Sequence, residues 1–226
     1  MKRLEKKHPL FTRWNHWVNF PVLTVMICSG LLIYWADDVQ RIGLGSVTLV
    51  HMKLPDNVYE ALHMNQRLAA GMAWHFAFMW LFALNGALYV LYTLISGEWR
   101  NLIPTRRSFS DAIEVVKHDL GIRKQPLPAT KYNGAQRIAY SSIILMGIGS
   151  LITGLAIYKP VQLSLLVTLC GGFPAARFLH FWLTMGYIAF FVVHIVQVAR
   201  AGWSNFRGMV TGYEVANVES AEGSRP

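Results

Sequence analysis

Four stretches of about 20 residues or more run almost free of charged side chains, at about 17–36, 68–96, 138–158 and 178–199. Each is long enough to cross the roughly 30 Å hydrocarbon core of a bilayer. In hydrocarbon every backbone N–H and C=O has to be paired within the segment, so each stretch is predicted to be an α-helix. The 68–96 stretch is longer than a bilayer needs and is expected to tilt. Pro21 falls near the start of the first stretch, where a missing N–H costs least. Asp37 and Asp38 follow that stretch instead of a small-residue cleavage site, so it reads as an uncleaved anchor.

The intervals between these stretches predict less. Residues 59–66 read as a short interfacial helix within the first outer loop. Residues 160–176 are apolar but too few to span, and are expected to lie at or dip into the outer surface. Residues 111–120 read as a short amphipathic helix, followed by the breaker-rich Gln125-Pro126-Leu127-Pro128. The residues after Gly212 are polar and read as a mobile tail. The expected fold class is all-α, an integral membrane four-helix bundle with a short interfacial helix in the outer loops. One membrane domain covers 1–212, a polar cytoplasmic tail covers 213–226, and no internal repeat is visible.

Composition agrees with the pattern. Apolar residues make up 54% and charged residues only 15% of the chain, against roughly 45–50% and 25% in soluble domains. A soluble enzyme and a disordered chain are both excluded. The net charge of +9 would suit nucleic acid if the basic residues were clustered. They lie between the apolar stretches instead, which reads as topology and not as a nucleic-acid partner. Lys2, Arg3, Lys6, Lys7 and Arg13, the eight from Arg100 to Arg137, and Arg200, Arg207 and Arg225 place 16 of the 21 basic residues on one side. Arg41, Lys53, Arg67, Lys159 and Arg177 leave 5 on the other. The asymmetry puts both termini in the cytoplasm of a multi-pass protein of the bacterial inner membrane. The two cysteines, Cys28 and Cys170, supply no disulfide framework, cysteine-based zinc site or iron–sulfur spacing.

Histidine carries the candidate chemistry. An imidazole at membrane depth is costly and usually has a partner or a role. His16, His75, His180 and His194 lie in the spans or at their ends, whereas His8, His51, His63 and His118 lie in the tail or loops. With the orientation above, His16 and His194 fall near the cytoplasmic face, and His75 and His180 near the outer face. His180 and His194 are 14 residues apart on one span. That is about 21 Å of helix, and about 100° per residue brings the two within about 40° of whole turns. Two histidines per level, always on different helices, form the ligand set of a six-coordinate haem b. The pairs are His16 with His194 and His75 with His180. Zinc would want three or four ligands converging, and a proton relay would want carboxylates within the spans. Neither pattern is present. His63 is the one rival to His75, about 18 Å away if the helix is continuous.

Supporting residues follow the ligands. Arg13 and Arg177 each stand three residues before a proposed ligand and are the candidates to pair with haem propionates. Gly30, Gly71, Gly86, Gly147, Gly149, Gly154 and Gly186 read as close helix packing or as room for a porphyrin face. Trp14, Trp17, Trp35, Trp99 and Trp203 fit an interfacial belt.

The opening Arg13-Trp14-Asn15-His16-Trp17 resembles the R-x-x-H-W start of the bacterial di-haem cytochrome b561 family, which includes the b-type subunits of nickel–iron hydrogenases and the gamma subunits of formate dehydrogenases. The 14-residue His180–His194 spacing and His75 are similar too, and the likeness covers about residues 8–212. The stretch from Thr153 through Tyr158-Lys159-Pro160 to Gln162 resembles the thiosulfate-reductase-type cytochrome b subgroup, which accompanies a molybdopterin oxidoreductase. The resemblance implies a membrane subunit, not itself catalytic, that passes electrons between a peripheral redox subunit on the outer face and the quinone pool. The partner would be of molybdopterin or nickel–iron type and would dock on loops 37–67 and 159–177. Quinone would sit near His16 and His194, with Arg13, Asn15 and Asn19 as candidate contacts. Two other functions stay open on the sequence: a stand-alone cytochrome b561 that oxidises a small donor such as superoxide, and a haem-free membrane scaffold or transporter.

Overall fold

A computed structural model describes residues 2–36, 41–44, 47–51, 55–63, 67–123 and 132–217. The fold class is all-α, and four helices are long and apolar enough to cross a membrane. They are α1 (Leu10–Ala36), α3 (Leu68–Ile95), α6 (Gly134–Tyr158) and α8 (Phe173–Thr211). Shorter helices join them: α2 (Asp56–Ala61), α4 (Trp99–Leu102), α5 (Arg106–Asp119) and α7 (Ser164–Leu169). Among the described residues, strand is confined to two antiparallel ribbons. One pairs β1 (Lys2–Lys6) with β4 (Tyr213–Asn217), the other β2 (Arg41–Leu44) with β3 (Val47–His51).

The four apolar stretches coincide with the four long helices, but α1, α6 and α8 outrun the expected bounds, α6 by four residues at its start. α1 begins seven residues before the apolar stretch, and α8 extends past it at both ends. Hydropathy marks where hydrocarbon begins, whereas helical hydrogen bonding continues into the headgroup region. There Arg13, Arg177, Arg200 and Arg207 can keep their charges in water. Pro21 is therefore interior to α1, about three turns from its start, and not near the N-terminus as expected. α8 breaks at Gly202, whose φ of 79° and ψ of 176° suit glycine alone.

The connecting segments differ more from expectation. The helix expected over 59–66 is instead α2, which shares only 59–61 with it; residues 64–66 lie outside the described residues, as do 125–128. The amphipathic helix over 111–120 starts earlier, at Arg106, because Thr105 caps it: the Thr105 amide donates to Ser108 Oγ at 3.0 Å. The tail does not run free from 213. Residues 213–217 form β4, in register from Lys2↔Asn217 to Lys6↔Tyr213. The remainder of the tail, 218–226, lies outside the described residues.

The chain divides into two compact units. One comprises 1–36, 63–85 and 188–226, the other 37–62 and 86–187. In the first, α1 and α3 approach closely at Gly71, where a Cβ would stand 3.0 Å from Leu32 Cβ and 3.2 Å from the Ser29 carbonyl. Phe20 stacks on Phe191 of α8, and Trp17 Nε1 donates to the Met209 carbonyl at 3.1 Å. In the second, Asn133 caps α6 by accepting from the Gln136 amide at 2.9 Å. Arg137 donates to the carbonyls of Arg100 and Ile103. α6 meets α8 where Gly149 faces Leu183 and Gly186 faces Met146. Ala156 and Ala176 are fully buried, while Trp80, Leu84, Leu91 and Leu94 of α3 are exposed. An exposed apolar surface of this kind suits lipid and not water.

Candidate functional site

In the first unit, α1 and α8 bring the His16 and His194 rings together. Their ring centroids are 6.1 Å apart, with the planes inclined by 55°. A metal held between two imidazoles takes a bond of about 2 Å on each side, and the distance from each ring nitrogen to its centre brings the centroids to about 6 Å. The observed spacing suits two ligands on one metal ion. His16 Nδ1 is buried without a hydrogen-bond partner among the described residues. A buried polar atom in that state costs about 1–3 kcal/mol.

Aromatic rings set these two imidazoles. Trp17 meets His16 edge-on at 5.2 Å, and Phe190 stacks on His194 at 5.8 Å with the planes 7° apart. Because Trp17 also holds Met209 through its indole N–H, it is a packing partner of the histidine as well as a belt residue. Arg13 donates to the Val210 carbonyl at 2.6 Å. Its Nε is buried without a partner among the described residues, so the guanidinium retains a donor for an anion.

His75 belongs to the same unit, where Ser29 Oγ of α1 lies 3.0 Å from its Nδ1. His180 belongs to the second unit, where Thr153 Oγ1 of α6 lies 2.9 Å from its Nδ1. Arg177 is half-buried on α8, one turn before His180. The rival His63 lies outside α3, in the exposed turn after α2, with φ 49°. Its reading as a loop residue holds in the structure.

Gly30 and Gly154 do not simply space helices. A Cβ at Gly30 would stand 3.3 Å from His75 Cε1, and one at Gly154 would stand 3.2 Å from His180 Cε1. Each glycine makes room for an imidazole. Gly71, Gly149 and Gly186 take the packing role. Sequence reasoning missed Ser29, Thr153 and Asn85. Asn85 exchanges hydrogen bonds with Asn15, whose Nδ2 donates to Asn85 Oδ1 at 2.9 Å, and it reaches Asn19 at 3.4 Å. A lone amide deep in the 68–96 stretch was the signal available, since such a group seeks a polar partner on a neighbouring helix.

The donor set fits a b-type haem: paired imidazoles, a cationic side chain beside a ligand, and no group of three or more His, Cys, Asp or Glu among the described residues that would hold another metal. Residues 7–212 match the family described as prokaryotic cytochrome b561. A proposed protein-methionine-sulfoxide reductase subunit of Azospira oryzae, YedZ1, is 30% identical over 201 residues, covering 88% of this chain and 92% of that one.

Proposed function

The chain belongs to the prokaryotic cytochrome b561 family, a membrane electron-transfer haem protein, and from that premise we propose that it holds two haems b and serves as the electron-transferring subunit of a membrane oxidoreductase. The observation that carries this reading is the facing of His16 and His194 at 6.1 Å. When bound, haem b supplies one-electron exchange between ferric and ferrous iron. His16 and His194 would hold the group nearer the cytoplasm, and His75 and His180 the one nearer the outer face, a pairing that rests on their depth in the sequence. Held by two imidazoles, the group would exchange electrons and would not bind substrate. Arg13 and Arg177 would neutralise its propionates.

Electrons pass between quinone near His16 and His194 and a peripheral oxidoreductase on the outer face, where residues 37–67 and 159–177 receive it. That partner is of molybdopterin or nickel–iron type. The name of the Azospira relative as an oxidoreductase subunit supports a partnered role over a solitary one. The protein resides in the bacterial inner membrane with both termini in the cytoplasm.

A reduced-minus-oxidised spectrum of the purified chain tests the cofactor: a b-type α band is expected, and its absence ends the reading. Purification in mild detergent tests the partner. A redox subunit is expected to accompany the chain, and a lone chain that reduces quinone from a small donor such as superoxide would sink the subunit role.

A further inference from the structure

We propose that Ser29 and Thr153 are positioning residues for His75 and His180, each accepting a hydrogen bond from the imidazole Nδ1–H and so leaving Nε2 as the nitrogen offered to iron. The inference deepens the di-haem reading and rests on it.

The same device occurs once in each unit. In the first unit, Ser29 Oγ lies 3.0 Å from His75 Nδ1, 2.6 Å from the Val25 carbonyl one turn back and 3.2 Å from the Met26 carbonyl, which also accepts a hydrogen bond from His75. In the second, Thr153 Oγ1 lies 2.9 Å from His180 Nδ1 and 2.7 Å from the Gly149 carbonyl one turn back. Both residues are buried, at 3% and 4% exposure. A hydroxyl carries one proton. A carbonyl can only accept, and two oxygens that close repel unless a proton lies between them. The hydroxyl proton therefore goes to the carbonyl, and the hydroxyl lone pairs face the ring. Nδ1 must then be the donor. A neutral imidazole has a single N–H, so the lone pair resides on Nε2. A metal-ligating histidine characteristically gives its other N–H to such an acceptor, which fixes the ring and raises its basicity.

Sequence neighbours complete the seat. Gly30 follows Ser29 and Gly154 follows Thr153, and each presents an open backbone to the imidazole Cε1, at 3.3 and 3.2 Å from an added Cβ. Hydroxyl and glycine together form a two-residue cradle, used once on α1 for His75 and once on α6 for His180. His16 lacks this hydroxyl partner, its Nδ1 being unpaired among the described residues. The cradle therefore distinguishes the two histidines assigned to the outer haem.

Ser29→Ala and Thr153→Ala in the full haem-loaded chain test the proposal, with His75→Ala marking which spectral component is the outer haem. Loss of the acceptor makes the imidazole a poorer donor to ferric iron. The midpoint potential of that one haem should rise while the other stays, and haem affinity at that site should fall about 10–100-fold. Ser29→Thr and Thr153→Ser should keep both properties, and Ser29→Cys, with its weaker acceptor, should fall between. Thr24→Ala is the control, because the Thr24 hydroxyl donates to the Phe20 carbonyl in the same helix at 2.8 Å; it should change neither. A wild-type chain without b-type haem overturns the functional reading and this inference together. With haem present in the wild type, unchanged potential and affinity in both alanine variants overturn the inference alone. So does an equal shift of both haems, or the same shift in Thr24→Ala.

Discussion

His16 and His194 meet within one unit, so on the proposed reading replacing either would remove half of the same ligand set. His16→Ala and His194→Ala are expected to lose the same haem and keep the other, whereas His75→Ala and His180→Ala lose the second. Haem content and α-band position in each variant check this, and loss of one common haem in the His16 and His75 variants would refute the pairing. Outside the spans, Tyr132 lies edge-on to Tyr140 at 5.3 Å. Burial, followed by neighbouring groups including Tyr140, pushes its hydroxyl up to about 12. A raised value means that the folded state keeps a proton the unfolded chain gives up near pH 10. The stabilisation is complete below pH 10 and is lost as pH rises towards 12. Tyr132→Phe should flatten that part of the stability curve, as read by thermal unfolding in detergent at stepped pH. The histidines were legible from residue type and depth because hydrocarbon makes an imidazole conspicuous. Ser29 and Thr153 were not, since hydroxyls that bond back to their own helix are ordinary in membrane spans and only the partner across the interface gives them meaning.

Helix existence and type were legible because hydrocarbon leaves the backbone no alternative. The ends were less so. α1 and α8 continue past the apolar stretches, since hydropathy does not register where hydrogen bonding stops, and Pro21 became an interior residue as a result. Among the glycines, sequence left packing and porphyrin room open; the structure shows Gly71, Gly149 and Gly186 against neighbouring helices and Gly30 and Gly154 against imidazoles. Gly71 is a packing glycine: a side chain there would push into Leu32, Ile33 and the Ser29 carbonyl. Gly71→Leu should therefore destabilise the α1–α3 contact by about 1–3 kcal/mol, measured as a lowered unfolding midpoint in detergent. An unchanged midpoint would show that the two helices separate without cost.

At the scale of the molecule, β1 and β4 hydrogen-bond along five residue pairs, so the two terminal segments lie on the same side of the membrane. In the proposed topology, which follows the excess of basic residues, that side is the cytoplasm. A reporter that fluoresces only in the cytoplasm should be active when fused to either end and inactive when inserted in the 37–67 loop; the reverse pattern would invert the proposed topology. Sequence alone determined the all-α class, the four spans and the candidate ligands, because a bilayer penalises unpaired backbone and ionisable side chains so strongly that their pattern is written locally. Tertiary structure decided the rest. It brought His16 against His194, Asn15 against Asn85, and β1 against β4, and it placed a hydroxyl and a glycine beside His75 and beside His180. Those contacts join residues tens to hundreds of positions apart, and their energy depends on which helix faces meet, which no local pattern specifies.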